Sequence, residues 1–215
     1  MEAVRPLLIR GLEEIGLDPP DLTVSRFMVY LAELKRWSRA YNLTGLRSEE
    51  EIITKHFIDS LLYLRMIPRD CRDLGDIGSG AGFPGVPLAL VRPGLRVTLI
   101  EPSRKKCAFL RHLVRALSLE NVAVIEGRVE EVEQLFDVVV TRALFTIGDL
   151  LKKARNRLRE GGFIIVSKGP GFREEVGGLP EGVGIEVEEV RLPGTALKRV
   201  LVKVVPGQKN SCKRQ

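Results

Sequence analysis

The sequence has few cysteines, few histidines and no long apolar run. Its three cysteines, Cys71, Cys107 and Cys212, are an odd number at irregular spacings. They fit neither a disulfide framework nor a zinc site, and we therefore expect no metal. Apolar runs such as 86–91 are far shorter than the about 18 residues that span a membrane. The first residues lack the hydrophobic core of a signal peptide, so we expect a cytoplasmic protein with no membrane contact.

Aromatic residues are also scarce, at 6% of the 215 residues. The sequence contains no RNA-recognition motif and no array of aromatic side chains of the kind that stacks RNA bases. The charges are unbalanced, because 34 lysines and arginines outnumber 28 acidic residues and give a net charge of +6. This moderate positive charge favours an anionic partner but does not identify it.

The periodicity of the apolar residues changes near the end of the first third of the chain. Residues 1–66 repeat apolar residues at helical spacing, which predicts an N-terminal helical extension. Residues 67–207 alternate short β-rich runs with helical stretches, as in a parallel α/β sheet. The runs 183–192 and 197–205 follow each other too closely for a helical crossover, so they predict an antiparallel hairpin. Residues 208–215 are predicted to be a polar tail.

Before this hairpin, five β-rich runs predict five parallel strands joined by crossover helices. The continuously apolar character of several runs suits a sheet that is covered on both faces. The predicted strands are 72–77, 96–100, 122–125, 137–141 and 163–167, and the longer predicted helices are 85–90, 103–118 and 147–159.

A glycine-rich turn follows the first predicted strand and leads into a helix. Gly78, Gly80 and Gly82 allow the backbone to turn sharply and to approach a ligand without Cβ contact. The next strand ends in Glu101, which is positioned to accept hydrogen bonds from two ribose hydroxyls. In open α/β sheets this edge is where ligands bind, so the turn predicts a nucleotide-like ligand.

Two ligands fit this turn. Residues 80–85 match the pattern G-x-G-x-x-G, and Glu101 lies at about the distance of ~20 residues expected for a dinucleotide site. In the alternative frame, Asp76 precedes the glycines, and an acid there suits the cationic amino-acid end of S-adenosylmethionine. The terminal hairpin favours the second ligand, because dinucleotide folds normally repeat a second parallel half. The predicted fold is therefore a Rossmann-like class I S-adenosylmethionine-dependent methyltransferase.

Five motifs resemble a known family in their order and spacing. They are Tyr41–Thr44, His56–Leu61, Asp76–Gly85, Arg128–Glu130 and Thr141–Ala143. The family is the ribosomal small-subunit methyltransferase G, also called glucose-inhibited division protein B, and the resemblance covers roughly residues 20–205. It implies methyl transfer from S-adenosylmethionine to N7 of a guanosine in the 530 loop of 16S ribosomal RNA. It also implies a bacterial cytoplasmic enzyme that needs no metal.

The resemblance also implies a set of cofactor contacts, to which the glycine turn adds Asp76 and Gly80. The predicted cofactor residues are Asp76, Gly78, Gly80, Phe83, Glu101, Val129, Glu130 and Arg142. The partner is expected to be 16S RNA, within the small subunit or an assembly intermediate, and the enzyme is expected to be a monomer.

Missing motifs are consistent with an N7 acceptor. Methylation of an exocyclic amine usually uses an Asp/Asn-Pro-Pro-aromatic tetrapeptide after the fourth strand, where this chain reads Thr141–Leu144. Carbon methylation of a pyrimidine needs a cysteine nucleophile near the strand ends, and none is placed there. Guanine N7 needs neither, because its lone pair attacks the methyl directly and the protein has chiefly to align the reactants. Arg142 and Lys168, at strand ends, are the candidates for residues near the substrate.

Basic residues cluster on two predicted helices and predict a phosphate-binding surface. The candidate RNA contacts are Arg104, Lys105, Lys152, Lys153, Arg155 and Lys168. His56, Asp59 and Ser60 share one helix face without a nucleophile elbow, so we expect a structural polar cluster rather than a hydrolase triad. A small-molecule methyltransferase, a nicotinamide-dependent oxidoreductase and a non-catalytic RNA-binding module remain as alternatives.

Overall fold

The computed structural model describes residues 2–45, 48–142, 145–169 and 171–207. The N-terminal part is helical, as predicted. Its elements are a 3-10 turn (Glu2–Val4), α1 (Arg5–Glu14), α2 (Asp21–Tyr41), α3 (Glu49–Ile52), a π-helical segment (Ile53–Ile58), α4 (Asp59–Leu61) and a 3-10 turn (Leu62–Arg65). The last four follow each other without a break, so one helical rod of mixed winding connects Glu49 to the sheet.

The remainder forms one seven-stranded sheet. Its strands are β1 (Asp73–Ile77), β2 (Arg96–Glu101), β3 (Val122–Glu126), β4 (Phe136–Arg142), β5 (Leu158–Lys168), β6 (Gly184–Arg191) and β7 (Lys198–Val205). They lie in the order β3-β2-β1-β4-β5-β7-β6. The first five are parallel, and β7 runs antiparallel to both β5 and β6. The predicted mostly parallel sheet with a terminal antiparallel hairpin is confirmed.

Helices cover both faces of the sheet. They are α5 (Gly85–Val91), α6 (Arg104–Ala116), α7 (Ile147–Ala154) and α8 (Phe172–Gly177), with 3-10 turns at Val129–Glu131 and Arg155–Arg157. The prediction of one helix over 147–159 was wrong at its end, because β5 already begins at Leu158. Leu158 pairs with Phe136 before the register shifts, and Gly161 in this stretch has a positive φ of 76°. Helical periodicity cannot reveal such an irregular strand start.

Two apolar clusters hold the layers together. One contains side chains from β4, β5, β7 and α7, among them Val139, Ile164 and Leu150. The other joins the N-terminal helices to the opposite side, since Phe27 and Leu34 of α2 belong to the same cluster as Leu99 and Leu110. Trp37 packs against this second cluster and is half-buried. The boundary predicted after residue 66 stays a prediction, and the apolar core continues across it.

Among the described residues, no helix combines the length and the apolar character that a membrane crossing requires. The polar tail predicted over 208–215 lies outside the described residues.

Candidate functional site

The glycine turn lies at the carboxyl end of β1 and has the backbone conformation that glycine allows. Gly78, Gly80 and Gly82 have φ angles of 68°, 59° and 98°, which L-residues with a Cβ rarely adopt. Tyr30 of α2 holds the turn from the side, because its hydroxyl donates a hydrogen bond of 2.6 Å to the Ala81 carbonyl. A Cβ on Gly82 would lie 2.7 Å from the same hydroxyl oxygen. Side chain and turn therefore fit each other only when position 82 is glycine.

Asp76 lies behind this turn and is completely buried. Its Oδ2 accepts a hydrogen bond of 2.9 Å from the Gly85 amide at the start of α5. Its Oδ1 has no partner among the described residues. Burial raises the pKa of this carboxyl to about 7, because the charged form loses its hydration. Asp76 thus fixes the turn from inside, and a direct contact with a cofactor stays a prediction.

Glu101 ends β2 and connects the turn to the next helix. Its Oε2 accepts from the Gly80 amide at 2.9 Å, and its Oε1 accepts from the Ser103 amide at 3.0 Å. Each carboxylate oxygen retains capacity for a second donor. The side chain is therefore held in one orientation at the edge of the neighbouring cavity, ready to accept further hydrogen bonds.

That cavity has a volume of about 390 Å³, within the range of small-molecule sites. Its walls are apolar on both sides, with Ile77, Ile100, Val129 and Phe145 contributing. Its charged lining residues are Glu101, Lys106, Arg128, Glu130 and Lys153. A slot with apolar faces and a fixed carboxylate suits a flat heterocycle that carries a sugar.

A second cavity of about 270 Å³ lies on the other side of Gly78. Gly78 and Lys106 line both cavities, so the two spaces meet at the glycine turn. The second cavity is bordered by His56, Phe83 and Arg142 and by the loop residues Leu43 and Thr44. A ligand in the first cavity would reach the second by passing Gly78.

Arg142 ends β4 and is held by several groups at once. Its Nη2 lies 2.9 Å from Nδ1 of His56, and its Nη1 donates to the Lys55 carbonyl at 3.3 Å. The guanidinium also lies 5.3 Å from the centre of the Phe83 ring. Asp59, buried one turn further along, is 3.8 Å from Arg142 and accepts a 2.7 Å hydrogen bond from Arg199 of β7. Burial raises the pKa of the Asp59 carboxyl, although both guanidinium groups favour its charged form.

The structure brings most of the predicted cofactor residues to these cavities. Gly78, Glu101, Val129 and Glu130 line the first, and Gly78, Gly80, Phe83 and Arg142 line the second. The fold alone does not show that these residues contact a cofactor, so these contacts stay predictions.

The predicted RNA contacts are more scattered. Arg104, Lys105, Lys152 and Arg155 are exposed. Lys153 instead forms an ion pair with Glu130 and lines the first cavity.

Lys168 has its own partners within the protein. Its side chain is 9% exposed, and its ammonium donates to the Phe145 carbonyl at 2.6 Å and pairs with Glu175 at 2.8 Å. An RNA contact of Lys168 would have to break this pair.

Several residues that line the cavities could not be assigned to the site from the sequence. Lys106 and Phe145 carry no motif, and only the fold shows that they face the cavities. Thr44 and His56 belong to motifs of the resemblance, and the helix face of His56 predicts only a structural polar cluster. Ala143 and Leu144, which follow Arg142, lie outside the described residues.

Solved structures share this fold at low sequence identity. A methyltransferase from Pyrococcus furiosus aligns with a TM-score of 0.59 and 17% identity, over 84% of this chain and 98% of its own. M. jannaschii TYW2 in complex with AdoMet aligns with a TM-score of 0.53 and 20% identity, over 69% and 74% of the two chains. At such identities these likenesses establish the fold alone.

The sequence comparisons are more specific. The family model described as rRNA small subunit methyltransferase G matches residues 23–200. The ribosomal RNA small subunit methyltransferase G of Neisseria meningitidis serogroup B is 40% identical over 89% of this chain and 93% of its own. That of Stenotrophomonas maltophilia K279a is 39% identical over 94% and 95%. From the family model and these relatives, the chain belongs to the rRNA small subunit methyltransferase G family.

Proposed function

We propose that this protein transfers a methyl group from S-adenosylmethionine to N7 of a guanosine in the 530 loop of 16S ribosomal RNA. The observation that carries the proposal is the pair of cavities that meet at Gly78. One has the size and lining of a nucleoside site, and the other adjoins it on the side of Arg142. A donor bound in the first cavity can thus reach past Gly78 into the second, where the acceptor approaches it.

The residues fit the donor. The apolar walls of the first cavity suit adenine, and the Glu101 carboxylate can accept hydrogen bonds from the ribose hydroxyls. Gly78 allows the methionine part of the cofactor to pass close to the protein backbone between the two cavities, because glycine has no Cβ. Arg142, which borders the second cavity, supplies a fixed positive charge for the cofactor carboxylate.

The reaction requires little from the protein beyond the alignment of the methyl donor with the guanine. When bound, S-adenosylmethionine supplies an electrophilic methyl group on a positively charged sulfur, and the N7 lone pair can accept it without loss of a proton. No general base is required for this transfer, so the residues of the second cavity have to hold the guanine in line and exclude water. His56, Phe83 and Arg142, packed on one another, provide such a fixed wall.

An RNA-binding surface surrounds the second cavity. Arg104 and Lys105 begin α6 and are exposed beside Lys106, which lines both cavities. Tyr41, at the end of α2, is 48% exposed and directly precedes the loop that borders the second cavity. Exposed cations beside an exposed aromatic ring suit phosphates and an unstacked base. We place the substrate guanosine in the small subunit or an assembly intermediate, with the enzyme acting as a cytoplasmic monomer.

The direct test is transfer of radiolabelled methyl groups from S-adenosylmethionine to purified small subunits, naked 16S RNA and protein-only controls. We expect label in 16S RNA that N7-specific depurination and strand scission release at a guanosine of the 530 loop. Cofactor binding without label in any RNA would contradict the proposal and favour a small-molecule methyltransferase. Binding of NADH in place of S-adenosylmethionine would favour the oxidoreductase.

Two matched glycine variants locate the donor site. Gly78 and Gly194 both have a φ of 68°, but Gly194 is in the turn between β6 and β7, with open space around it. Gly78→Ala should weaken S-adenosylmethionine binding at least about tenfold, because Gly78 lines both cavities and a Cβ at its positive φ strains the turn. Gly194→Ala carries the same strain and should leave the affinity unchanged in calorimetry. Equal affinities for both variants would show that the donor binds elsewhere.

A further inference from the structure

His56 lies at the point where the N-terminal helices contact the glycine turn. It belongs to the π-helical segment, and π-helical turns are rare and often occur at functional sites. Its ring stacks on Phe83 with a centroid distance of 4.5 Å and an interplanar angle of 22°. Both rings border the second cavity. The proposed mechanism uses this wall but gives the imidazole no task of its own.

The hydrogen bonds of His56 select one form of its ring. Nδ1 lies 2.9 Å from Nη2 of Arg142, and a guanidinium can only donate, so Nδ1 must be unprotonated. Nε2 lies 2.7 Å from the Thr44 hydroxyl, and a neutral ring with a bare Nδ1 carries its proton on Nε2. His56 therefore accepts from Arg142 at one nitrogen and donates to Thr44 at the other.

The surroundings keep the ring neutral. Burial, with the nearby Arg142 charge acting in the same direction, lowers the pKa of His56 to about 3. Asp59, the neighbouring carboxylate, is occupied by Arg199 and Arg142. The imidazole thus stays an acceptor for Arg142 over the whole physiological pH range.

The other contacts of Arg142 do not replace this one. Its Nη1 is held by the Lys55 carbonyl at 3.3 Å, and Asp59 is more distant at 3.8 Å. The contact at Nη2 is the shortest of these and comes from a ring that also packs on Phe83. One side chain therefore sets the position of both Arg142 and Phe83 at the second cavity.

We propose that His56 is a positioning residue, which as a neutral Nε2–H imidazole links Thr44 to Arg142 and fixes the wall against which donor and guanine align. It acts through Arg142 and does not exchange a proton during the transfer. This inference rests on the proposed function for the identity of the substrates. Its structural part, the tautomer and the link to Arg142, can be tested without any reaction.

Two isosteric variants separate the two hydrogen bonds. In His56→Asn, the amide oxygen can take the place of Nδ1 and accept a hydrogen bond from Arg142. In His56→Gln, the amide nitrogen takes the place of Nε2 and can donate to Thr44, but the bond with Arg142 is lost. We expect His56→Ala to lower kcat/KM for RNA by about 100-fold, as misplacement of aligned groups does. His56→Asn should remain within about tenfold of the wild type and His56→Gln should resemble His56→Ala. Affinity for S-adenosylmethionine, measured by calorimetry, should follow the same order.

His112→Asn is the matched control, because His112 is the only other histidine of the chain and packs between α2 and α6, away from the cavities. Its kinetics should equal those of the wild type. Equal losses in His56→Asn and His56→Gln, with thermal midpoints like that of the wild type, would overturn the proposal and leave ring packing on Phe83 as the role of His56.

The tautomer is read directly from imidazole nitrogen resonances of the unmodified protein, with His112→Asn providing the assignment. We expect a bare Nδ1 and a protonated Nε2 for His56 from pH 5 to pH 8. A protonated Nδ1 or an imidazolium would overturn the proposal. This spectrum does not depend on RNA methylation, so a wild-type protein that labels no RNA would refute the proposed function while the tautomer and cofactor affinities still decide on His56.

Discussion

The buried Asp76 carboxyl group, behind the glycine turn, makes the stability of the folded protein depend on pH. Its pKa in the folded protein is about 7, against 3.8 for an ordinary aspartate. The folded state therefore binds a proton that the unfolded chain releases between these two values. By linkage, the stabilisation that the protonated Asp76 contributes to the folded state is complete below about pH 4 and is lost as the pH rises through about 7.

Asp76→Asn should remove this dependence. The asparagine oxygen can still accept from the Gly85 amide, but the side chain cannot ionise. The difference of 7 − 3.8, at about 1.36 kcal/mol per pH unit, sets an upper limit of roughly 4 kcal/mol for the loss in the wild type. Denaturant unfolding between pH 4 and pH 8 should give a flatter profile for Asp76→Asn and a wild-type slope for the exposed control Asp18→Asn. Parallel profiles of Asp76→Asn and the wild type would contradict the prediction.

The residue types of the site could be predicted from the sequence better than their orientations. The glycines, Glu101 and Arg142 occupy strand ends because the alternation of strands and helices places them there. The pattern could not show that Asp76 points into the core, since the acids of ligand sites and of structural turns look alike in sequence. It also could not show that Lys168 pairs with Glu175, which lies on a separate helix.

Among the elements, the helical rod from Glu49 to Arg65 is attached to the sheet by a tyrosine hydroxyl. Tyr63 donates to the Thr141 carbonyl at 2.7 Å and accepts from the Ser167 amide at 3.1 Å. These two groups belong to β4 and β5 at the edge where the site lies. Tyr30 makes the corresponding contact from α2 to the glycine turn.

Removing either hydroxyl should destabilise the protein. Tyr63→Phe leaves a buried amide and a buried carbonyl without this partner, and Tyr30→Phe does so for one carbonyl, with an expected cost of about 1–3 kcal/mol for each unsatisfied group. Tyr41→Phe, at an exposed ring, should cost almost nothing. Denaturant midpoints of the three variants test this order. A Tyr63→Phe variant as stable as Tyr41→Phe would show that the hydroxyl contacts do not hold the rod.

Charge at the start of α6 should dominate the salt dependence of RNA binding. Replacing Arg104 and Lys105 by Gln removes two cations beside the cavities and should reduce the slope of log K against log salt by about 1–2. The same charge change at Arg69 and Arg72, exposed at the amino edge of the sheet, should leave the slope unchanged. Equal slopes for both double variants would place the RNA on another face.

Secondary structure could be predicted where apolar periodicity is regular. The five parallel strands and the hairpin follow from apolar runs and their spacing, whereas the order of the strands in the sheet is known only from the structure. The π-helical winding around His56 has no sequence signature, and neither have the contacts that His56 makes there with Phe83 and Arg142. It is this winding that the simple helical reading missed.

For the molecule as a whole, the apolar core shared by the N-terminal helices and the sheet predicts a single unfolding transition. Trp37, the single tryptophan, lies in α2 and reports on the N-terminal helices, whereas far-UV circular dichroism reports on all elements. The two signals should give the same denaturant midpoint, because neither part can expose its side of the core alone. Leu34→Ala, which removes a fully buried side chain, should shift both midpoints together by about 2–5 kcal/mol of stability. An earlier midpoint for Trp37 fluorescence would instead establish residues 1–66 as a separate unit.

The shared apolar core also affects how the protein folds during its translation. α1 and α2 are synthesised first, yet α2 packs on α5 and α6, which end only at Val91 and Ala116. Until those helices leave the exit tunnel, the apolar side of α2 lacks the part of its cover that α5 and α6 provide. Transiently exposed surface of this kind is what chaperones recognise. The nascent chain therefore carries exposed apolar surface during part of its translation, at the very particle whose RNA the finished enzyme is proposed to modify.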